Sequence, residues 1–475
     1  MELSAVSLEW LVQGGGRELM FFASAGILLM GLDDLFFDLM WLGGRSAAGA
    51  RRDDAAGPPL DGPFAIFVPA WDEARVLGPT LEAMLAAWGG QDYRVYVGCY
   101  PNDAVTLFSV SPLIARDRRL RLVISSEEGP TTKGDNLNRL WAAVGEDERA
   151  EGMRYAAIVL HDAEDRVHPD ELALYRHHLR GRAMVQIPVV PDVASGRQWV
   201  AAHYGDEFAE AHGKELALRS RLGLPLPSAG VGCAMTRSAL ALLAIERGGH
   251  PFRADSLTED YEVGMLIGAY GLDAAFVDIR NAMDDRIVSR GGFPETFEAA
   301  IRQKARWITG IALAGWDHLG WPGSRVGRPE ASRLGGWLAR WMLWRDRRAP
   351  LAAIILLAAY AGCVLVALGW AGEALLGWRP AEIGPAMRAI LIINAALLLW
   401  RLAMRMYFAG RWYGARQALL SVPRAFVSNI VAILAARRAI VLYLQMLRSG
   451  AVIWDKTDHH IGEAVALTVR SGRGE

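Results

Sequence analysis

Between Leu351 and Trp370 the chain runs for 20 residues without a charged side chain. A helix satisfies its backbone polar groups internally, and about 20 apolar residues cross a bilayer, so this run commits part of the chain to a membrane helix. Arg340, Arg345, Arg347 and Arg348 precede it, and such basic residues mark the cytoplasmic end of a span. A second run, Ala389 to Phe408, returns, with Arg388 outside and Arg401, Arg405 and Arg411 towards the inside. Ala425 to Leu447 is apolar but split by Arg437 and Arg438. A third span, a re-entrant hairpin and an interfacial helix all fit it, and the interfacial helix is the expectation adopted.

Near the N-terminus, Leu19 to Leu42 has the length of a span but contains Asp33, Asp34 and Asp38. Acids at that depth either line an ion pathway or pair with arginines of other spans, and pairing is the reading carried forward. Arg45, Arg51 and Arg52 follow, so the N-terminus is expected outside and the next region in the cytoplasm. Glu2 and Glu9 stand where a cleaved signal peptide would be basic. The expected division is an N-terminal segment 1–18, a membrane helix 19–42, a cytoplasmic linker 43–63 and an α/β domain 64–316. Interfacial helices 317–350, membrane and interfacial helices 351–448 and a cytoplasmic tail 449–475 complete it.

From Phe64 onward short apolar runs alternate with helical stretches. Phe64–Val68, Tyr93–Val97, Arg121–Ile124 and Ala156–Leu160 read as strands; Val76–Trp88, Leu137–Val144 and Pro169–His178 read as helices. This alternation predicts a mainly parallel sheet with helices on both faces. No Gly-x-Gly-x-x-Gly follows the first strand and no Walker-type Gly-Lys-Thr occurs, which disfavours a dinucleotide dehydrogenase or a P-loop machine. A formal net charge of -1 gives no basic footprint for nucleic acid. The three cysteines, Cys99, Cys233 and Cys363, are too scattered for a zinc site or disulfide framework.

Polar groups cluster where the strands end. His161-Asp162-Ala163-Glu164-Asp165 follows the fourth, placing carboxylates at the carboxyl edge of the sheet, where open α/β folds bind ligands. Crowded acids of this kind suit Mg²⁺ or Mn²⁺ together with substrate phosphates. A solvated helix N-terminus would also be rich in Asp and Glu. Pro69, Trp71, Asp72 and Glu73 follow the first strand, Asn102 and Asp103 the second, and Lys133 to Asn138 the third. Later come Gly230 and Gly232, Thr258-Glu259-Asp260 and Gln303-x-x-Arg306-Trp307. Taken singly these have ordinary readings: a capping box at Thr258, turn glycines at 230 and 232, core packing for Trp307.

In this order, behind this strand–helix pattern and between membrane segments, the set resembles the processive branch of the family 2 glycosyltransferases over roughly Phe64 to Trp316. Within it, the chain looks most like the bacteriophage adsorption protein B group of inner-membrane glycosyltransferases. The Asp-Ala-Glu-Asp form at 162–165 and a late Trp454-Asp-Lys-Thr-Asp-His459 carry that closer likeness. The resemblance implies a GT-A-type catalytic domain facing the cytoplasm of the bacterial inner membrane, a UDP-sugar donor, and a glycan or lipid-linked acceptor. It implies Asp162, Glu164 and Asp165 as ligands of Mg²⁺ or Mn²⁺. Pro69, Trp71, Glu73, Asp103, Lys133, Asp162 and Arg306 would face the donor, and Gly230, Gly232, Gln303 and Trp307 the acceptor. Asp260, with Glu259 beside it, is the implied base. Too few helices are present for a polymer channel, so an outer-membrane export partner, a homo-oligomer or a non-translocating role is implied. The chain also stops short of the cyclic-dinucleotide-sensing domain that some members carry.

Two departures stand out. Glu164 replaces the second Asp of the family's metal motif, and Pro101-Asn102-Asp103 replaces the usual Asp-Asp-Gly-Ser, which weakens a uracil contact by Asp103. The chemistry holds independently of the name. Breaking an anomeric C–O bond releases a diphosphate whose charge needs a cation, and the attacking hydroxyl needs one carboxylate base. A scaffold that has lost activity, or a metal-dependent phosphotransferase using the same acids, are the competing functions. His161 and His168 raise a mixed His/carboxylate metal site, which a diphosphate-bound cation does not require.

Overall fold

The computed structural model describes residues 5–47, 59–193, 199–321, 333–379 and 382–450. The chain opens with α1 (Ala5–Ala47) and then alternates strand and helix. In order come β1 (Phe64–Pro69), α2 (Leu77–Ala87), β2 (Tyr93–Cys99), α3 (Ala104–Arg116), β3 (Leu120–Ile124), α4 (Lys133–Glu151), β4 (Ala157–Leu160) and α5 (Glu171–His178). β5 (Met184–Gln186), β6 (Val189–Pro191), α6 (Trp199–Glu210), a π-helical turn at Ala211–Leu216, α7 (Ala217–Arg221), β7 (Cys233–Thr236) and α8 (Arg237–Glu246) follow. α9 (Glu259–Ala269), β8 (Ala274–Phe276), β9 (Ser289–Gly291), α10 (Phe297–Trp307), a second π-helical stretch at Ile308–Ala314 and α11 (Gly315–Leu319) close the α/β region. The last four helices are α12 (Arg333–Arg347), α13 (Ala349–Leu376), α14 (Pro385–Tyr413) and α15 (Ala415–Ser449).

The main sheet runs β3-β2-β1-β4-β7-β5-β8, and only β7 is antiparallel to its neighbours. β1 pairs with β2 on one side and β4 on the other. The strand order reverses there, which opens a crevice beyond the carboxyl ends of β1 and β4. Alternation along β1 feeds both faces: Phe64, Ile66 and Val68 pack with α2 and α5, and Ala65 and Phe67 with α4 and α9. A strand buried on both faces must be apolar throughout, as β1 is.

Four of the described helices, α1 over Leu8–Gly44, α13, α14 and α15, are long and apolar enough to cross a membrane. α1 begins at Ala5 rather than Leu19, running through Gly14, Gly15 and Gly16. Glycine is tolerated at 16 because Leu365 of α13 lies against it: a Cβ there would sit 3.2 Å from Leu365 Cβ. At 43 residues the helix is about 65 Å long at about 1.5 Å per residue, roughly twice the hydrocarbon thickness. Its three aspartates lie towards the end that meets the α/β domain, and they are paired. Asp33 accepts from Arg348 (2.7 Å) and from Arg345, and Asp34 from Arg345 (3.0 Å) and Arg348 (2.5 Å). Asp38 is fully buried against Lys214 of the first π-turn (2.6 Å) and Trp400 Nε1 (2.8 Å). Lys214 also meets Glu210 at 2.5 Å.

α15 starts at Ala415, earlier than the apolar run predicts, and continues through Pro423. Arg437 and Arg438 do not break it because both side chains are exposed. Its opposite side lies on the α/β domain: Ala435 and Ala439 meet Ala305 of α10, Val431 meets Ala300 and Tyr204, and Arg424 pairs with Asp206 at 2.6 Å. The Trp454–His459 motif lies outside the described residues. Replacing Lys214 by Met leaves Asp38 buried with Trp400 Nε1 but without its paired cation, and leaves Glu210 to Arg401 alone. We expect a loss of about 3–5 kcal/mol, read as a lowered unfolding midpoint of the detergent-solubilised protein.

Candidate active site

The crevice between β1 and β4 holds two adjoining cavities that share one wall. The first, about 140 Å³, is bounded by Pro69, Trp71 and Glu73 after β1, Tyr100 after β2, Pro130, Thr131, Lys133 and Asn136 at the start of α4, Asp162 and Glu164 after β4, and Arg306 of α10. The second, about 130 Å³, is lined by Thr258, Glu259, Asp260, Gln303, Trp307, Phe208, Phe293, Ala229 and Val231, among others. Lys133, Asp162, Glu164 and Arg306 border both. Residues from 69 to 307 thus meet at one place.

Local structure explains how each side chain is aimed. In the first cavity, Trp71 and Tyr100 stand edge to face, 5.3 Å between centroids. A Cβ on Gly129 would fall within 2.7 Å of both rings, so the loop between β3 and α4 can carry only glycine there. Asn102 clasps Gly129 from both sides, accepting its N–H at 2.8 Å and donating to its carbonyl at 2.7 Å. Asp103 lines neither cavity. It caps α3 through the Thr106 N–H (3.2 Å) and accepts the N–H of Asp72 at 2.6 Å. Asp72 has φ +56, a left-handed backbone that costs energy for a non-glycine residue, and Asp103 holds it there.

Lys133 is the first residue of α4, whose N-cap Thr132 accepts from Asp135 N–H at 3.2 Å. Its Nζ meets Asp162 Oδ1 at 2.5 Å. Burial opposes the lysine charge, but the fields of Asp162, Glu259 and Asp260 outweigh that and hold it protonated beyond the ordinary lysine range. Asn136, buried nearby, donates to Gly98 O at 3.1 Å while its Oδ1 has no partner.

In the second cavity, Asp260 sits in the first turn of α9 and accepts the Tyr261 N–H at 2.7 Å. Burial, and proximity to other carboxylates, push the Glu259 and Asp260 carboxyls above the ordinary carboxylate range, against the pull of Lys133 and Arg306. Gly230 has φ +76, and a Cβ there would lie 2.1 Å from Asp260 Oδ2. The close approach required of Gly230 is therefore to this carboxylate. Gly232 (φ +57) makes room for Ser289 and Ile187, and the wall itself is formed by its neighbours Ala229 and Val231. Gln303 is buried with Oε1 unpartnered. Trp307 packs on Tyr204 (5.9 Å) and Phe208 (6.2 Å). The π-helical stretch begins directly after it, and a Cβ on Gly310 would strike Thr258 Oγ1 at 2.4 Å, so helix and Thr258 meet backbone to side chain.

Asp165, the third implied metal ligand, borders the second cavity, but one carboxylate oxygen is turned inward. Its Oδ2 accepts the Asp162 N–H (3.0 Å) and a proton from His161 Nδ1 (3.1 Å), while His161 Nε2 meets Glu171 at 2.9 Å. Burial pulls the imidazole pKa down, but Glu171 and Asp165 override it and push it up to about 10. His168 is engaged by the Asp170 N–H (3.0 Å) and Asp285 (3.2 Å) and lines neither cavity. Among the described residues no three His, Cys, Asp or Glu side chains are grouped to hold a metal ion by themselves. The donor set on the shared wall, Asp162 and Glu164, fits a hard cation that brings phosphate oxygens and water as its other ligands.

Tyr100 and Asn136, which stand within the polar runs after the second and third strands, line the first cavity. Thr131, Phe208 and Phe293 belong to the cavities without having been singled out in the sequence; Thr131 adjoins the run that holds Lys133, and that adjacency was the available signal. Phe208 and Phe293 carry none, since they arrive from α6 and from the turn after β9.

Residues 59–310 match the glycosyltransferase-like family 2, and the chain belongs to that family. It is similar to bacteriophage adsorption protein B of Escherichia coli K12 and to bacteriophage N4 adsorption protein B of E. coli O157:H7. Each is 33% identical over 462 residues, covering 91% of this chain and 60% of the relative. The chain therefore spans three fifths of the length of these relatives. In fold it is similar to the mannosyltransferase PcManGT from Pyrobaculum calidifontis, solved with GDP-Man and Mn²⁺. That likeness has a TM-score of 0.51 at 16% identity and covers 90% of this chain and 99% of the other. The mostly parallel sheet with the cleft at its carboxyl edge is the arrangement of GT-A glycosyltransferases.

A Gly230→Ala change forces a strained φ and a clash with Asp260. Turnover is expected to fall about a hundredfold, with nucleotide binding by calorimetry unchanged.

Proposed function

We propose that this protein is an inverting, membrane-bound glycosyltransferase that moves a sugar from a UDP-sugar to a growing glycan or lipid-linked acceptor. The observation that carries the reading is the wall of Lys133, Asp162, Glu164 and Arg306 between two cavities, with Asp260 on the far side. In this reading the donor occupies the first cavity, its base against Trp71 and Tyr100 and its diphosphate at the shared wall. A divalent cation, Mg²⁺ or Mn²⁺, held by Asp162 and Glu164, supplies charge stabilisation to the departing diphosphate. Lys133 and Arg306 add to it, the guanidinium offering two parallel donors.

The acceptor enters the second cavity, its ring on Trp307 and its hydroxyl beside Gln303 Oε1. That hydroxyl attacks the anomeric carbon as its C–O bond to the diphosphate breaks. The proton passes to Asp260, and the nucleoside diphosphate leaves from the opposite face, so an α-linked donor gives a β-linkage. One base suffices for such a displacement, in contrast to the paired acids of glycoside hydrolysis. The proposed setting is the bacterial inner membrane with the catalytic domain facing the cytoplasm. The product would serve a secreted surface polysaccharide, handed to an outer-membrane partner or a second copy of the chain.

A panel of UDP-sugars, with GDP-mannose for contrast, assayed with Mn²⁺ or Mg²⁺ tests this. Nucleoside diphosphate release with sugar incorporation supports it; inorganic phosphate release, or binding without turnover, refutes it. Asp260→Asn should lower turnover by about a thousandfold and leave UDP binding intact.

The raised carboxyl of Asp260 must be ionised to accept the proton. Activity is therefore lost as pH falls through that raised value, and the acidic limb of kcat/KM lies nearer neutrality than an ordinary Asp would give. Lys133→Met removes a positive charge that pulls the Asp260 carboxyl down, so the limb of the residual activity should move to higher pH; a stationary limb would separate Asp260 from the titration.

A further inference from the structure

Four consecutive residues at the junction of α12 and α13, Arg345-Asp346-Arg347-Arg348, reach in three directions. Arg345 and Arg348, three positions apart and on one side, hold Asp33 and Asp34 of α1. Trp341, one turn earlier on α12, adds an Nε1 bond to Asp33 at 2.6 Å. Asp346 points instead into the α/β domain. Its carboxylate accepts the Tyr261 hydroxyl at 2.8 Å and pairs with the buried guanidinium of Arg219, which also donates to Met342 O at 3.3 Å. Tyr261 is the residue after Asp260, and its N–H is the donor that orients the Asp260 carboxylate. Arg347 donates to Gly315 O at 3.0 Å, where the π-helical stretch that follows Arg306 and Trp307 ends.

We propose that this four-residue strap is a positioning device: it fixes the Asp260-bearing turn of α9 to the N-terminal membrane helix, so that anchorage of α1 sets the geometry of the proton-accepting carboxylate. The proposal rests on Asp260 acting as the base. Asp346 and Tyr261 touch no substrate and act through Asp260, and Asp33 and Asp34 act through Arg345 and Arg348. The physical basis is that the ties are buried and charged. A buried carboxylate held by a guanidinium and a hydroxyl has one low-energy placement, unlike a solvated pair at the surface. The donor cavity draws its walls from the ends of β1 and β2, the start of α4, the turn after β4 and Arg306 of α10; none of its lining residues comes from α1, α9, α12 or α13 or from the π-helical stretch. A loosened strap is therefore felt at the base and scarcely at the nucleotide.

The test uses the full chain in lipid nanodiscs. Tyr261→Phe removes a single hydroxyl; Asp346→Asn removes the charge; Asp33→Asn with Asp34→Asn cuts the strap at its membrane end. Each is expected to lower kcat about ten- to a hundredfold, with donor KM and UDP affinity within about twofold of the parent, because the interaction acts on the transition state and not on nucleotide binding. Asp33→Glu with Asp34→Glu should recover most of the rate. Wild-type kcat in Tyr261→Phe and in the Asp33/Asp34 amide pair overturns the strap, as does an equal loss of UDP affinity and kcat, the mark of general loosening. Should Asp346→Asn fail to fold, Tyr261→Phe decides. Undiminished turnover in Asp260→Asn would overturn the base assignment itself, an outcome distinct from the strap variants behaving as wild type.

Discussion

The ammonium of Lys133 sits where Asp162, Glu259 and Asp260 would otherwise repel one another. Like charges drawn together out of water are unstable unless a cation is built in with them, and in the unliganded cleft Lys133 and Arg306 supply it. In the reaction proposed above, a divalent cation and a diphosphate would arrive at this wall and find a fixed partner for each charge, which is the condition for effective electrostatic stabilisation.

The sheet makes that convergence possible. Because β1 sends its successors to one side and β4 lies on the other, the loops after both strands open into the same crevice. Glycine at 98, 129 and 230 removes the atoms that would keep Asn136, Trp71 and Asp260 at a distance. Behind the Asp162 turn, Asp165, His161 and Glu171 form a buried row whose imidazolium balances two acids and ties the turn to α5. Gln303 Oε1 and Asn136 Oδ1, on residues that line the cavities, are among the buried polar atoms without a hydrogen-bond partner.

Much of this was legible in the chain because local chemistry and global fold agree there. The first four strands follow their apolar runs to within two residues; β1 and β4, buried on both faces, admit no polar interruption. Asp33 and Asp34 of the first membrane helix pair with arginines as expected, whereas Asp38 takes a lysine of the α/β domain, Lys214. What stayed hidden depends on tertiary placement. Asp103 looks like a ligand contact by its position after β2, yet the strain at Asp72 claims it. Arg437 and Arg438 look like an interruption, yet α15 turns them both outward. Phe208 and Phe293 complete the aromatic side of the second cavity from segments whose own sequences carry no signal.

The acids at 33 and 34 are separated from their arginine partners by more than 300 positions. At about 5–20 residues per second of synthesis, roughly 15–60 s pass between the emergence of one half of this junction and the other. During that interval the whole α/β domain is synthesised, and the tie between the first helix and the α12–α13 junction can close only once residue 348 has been made.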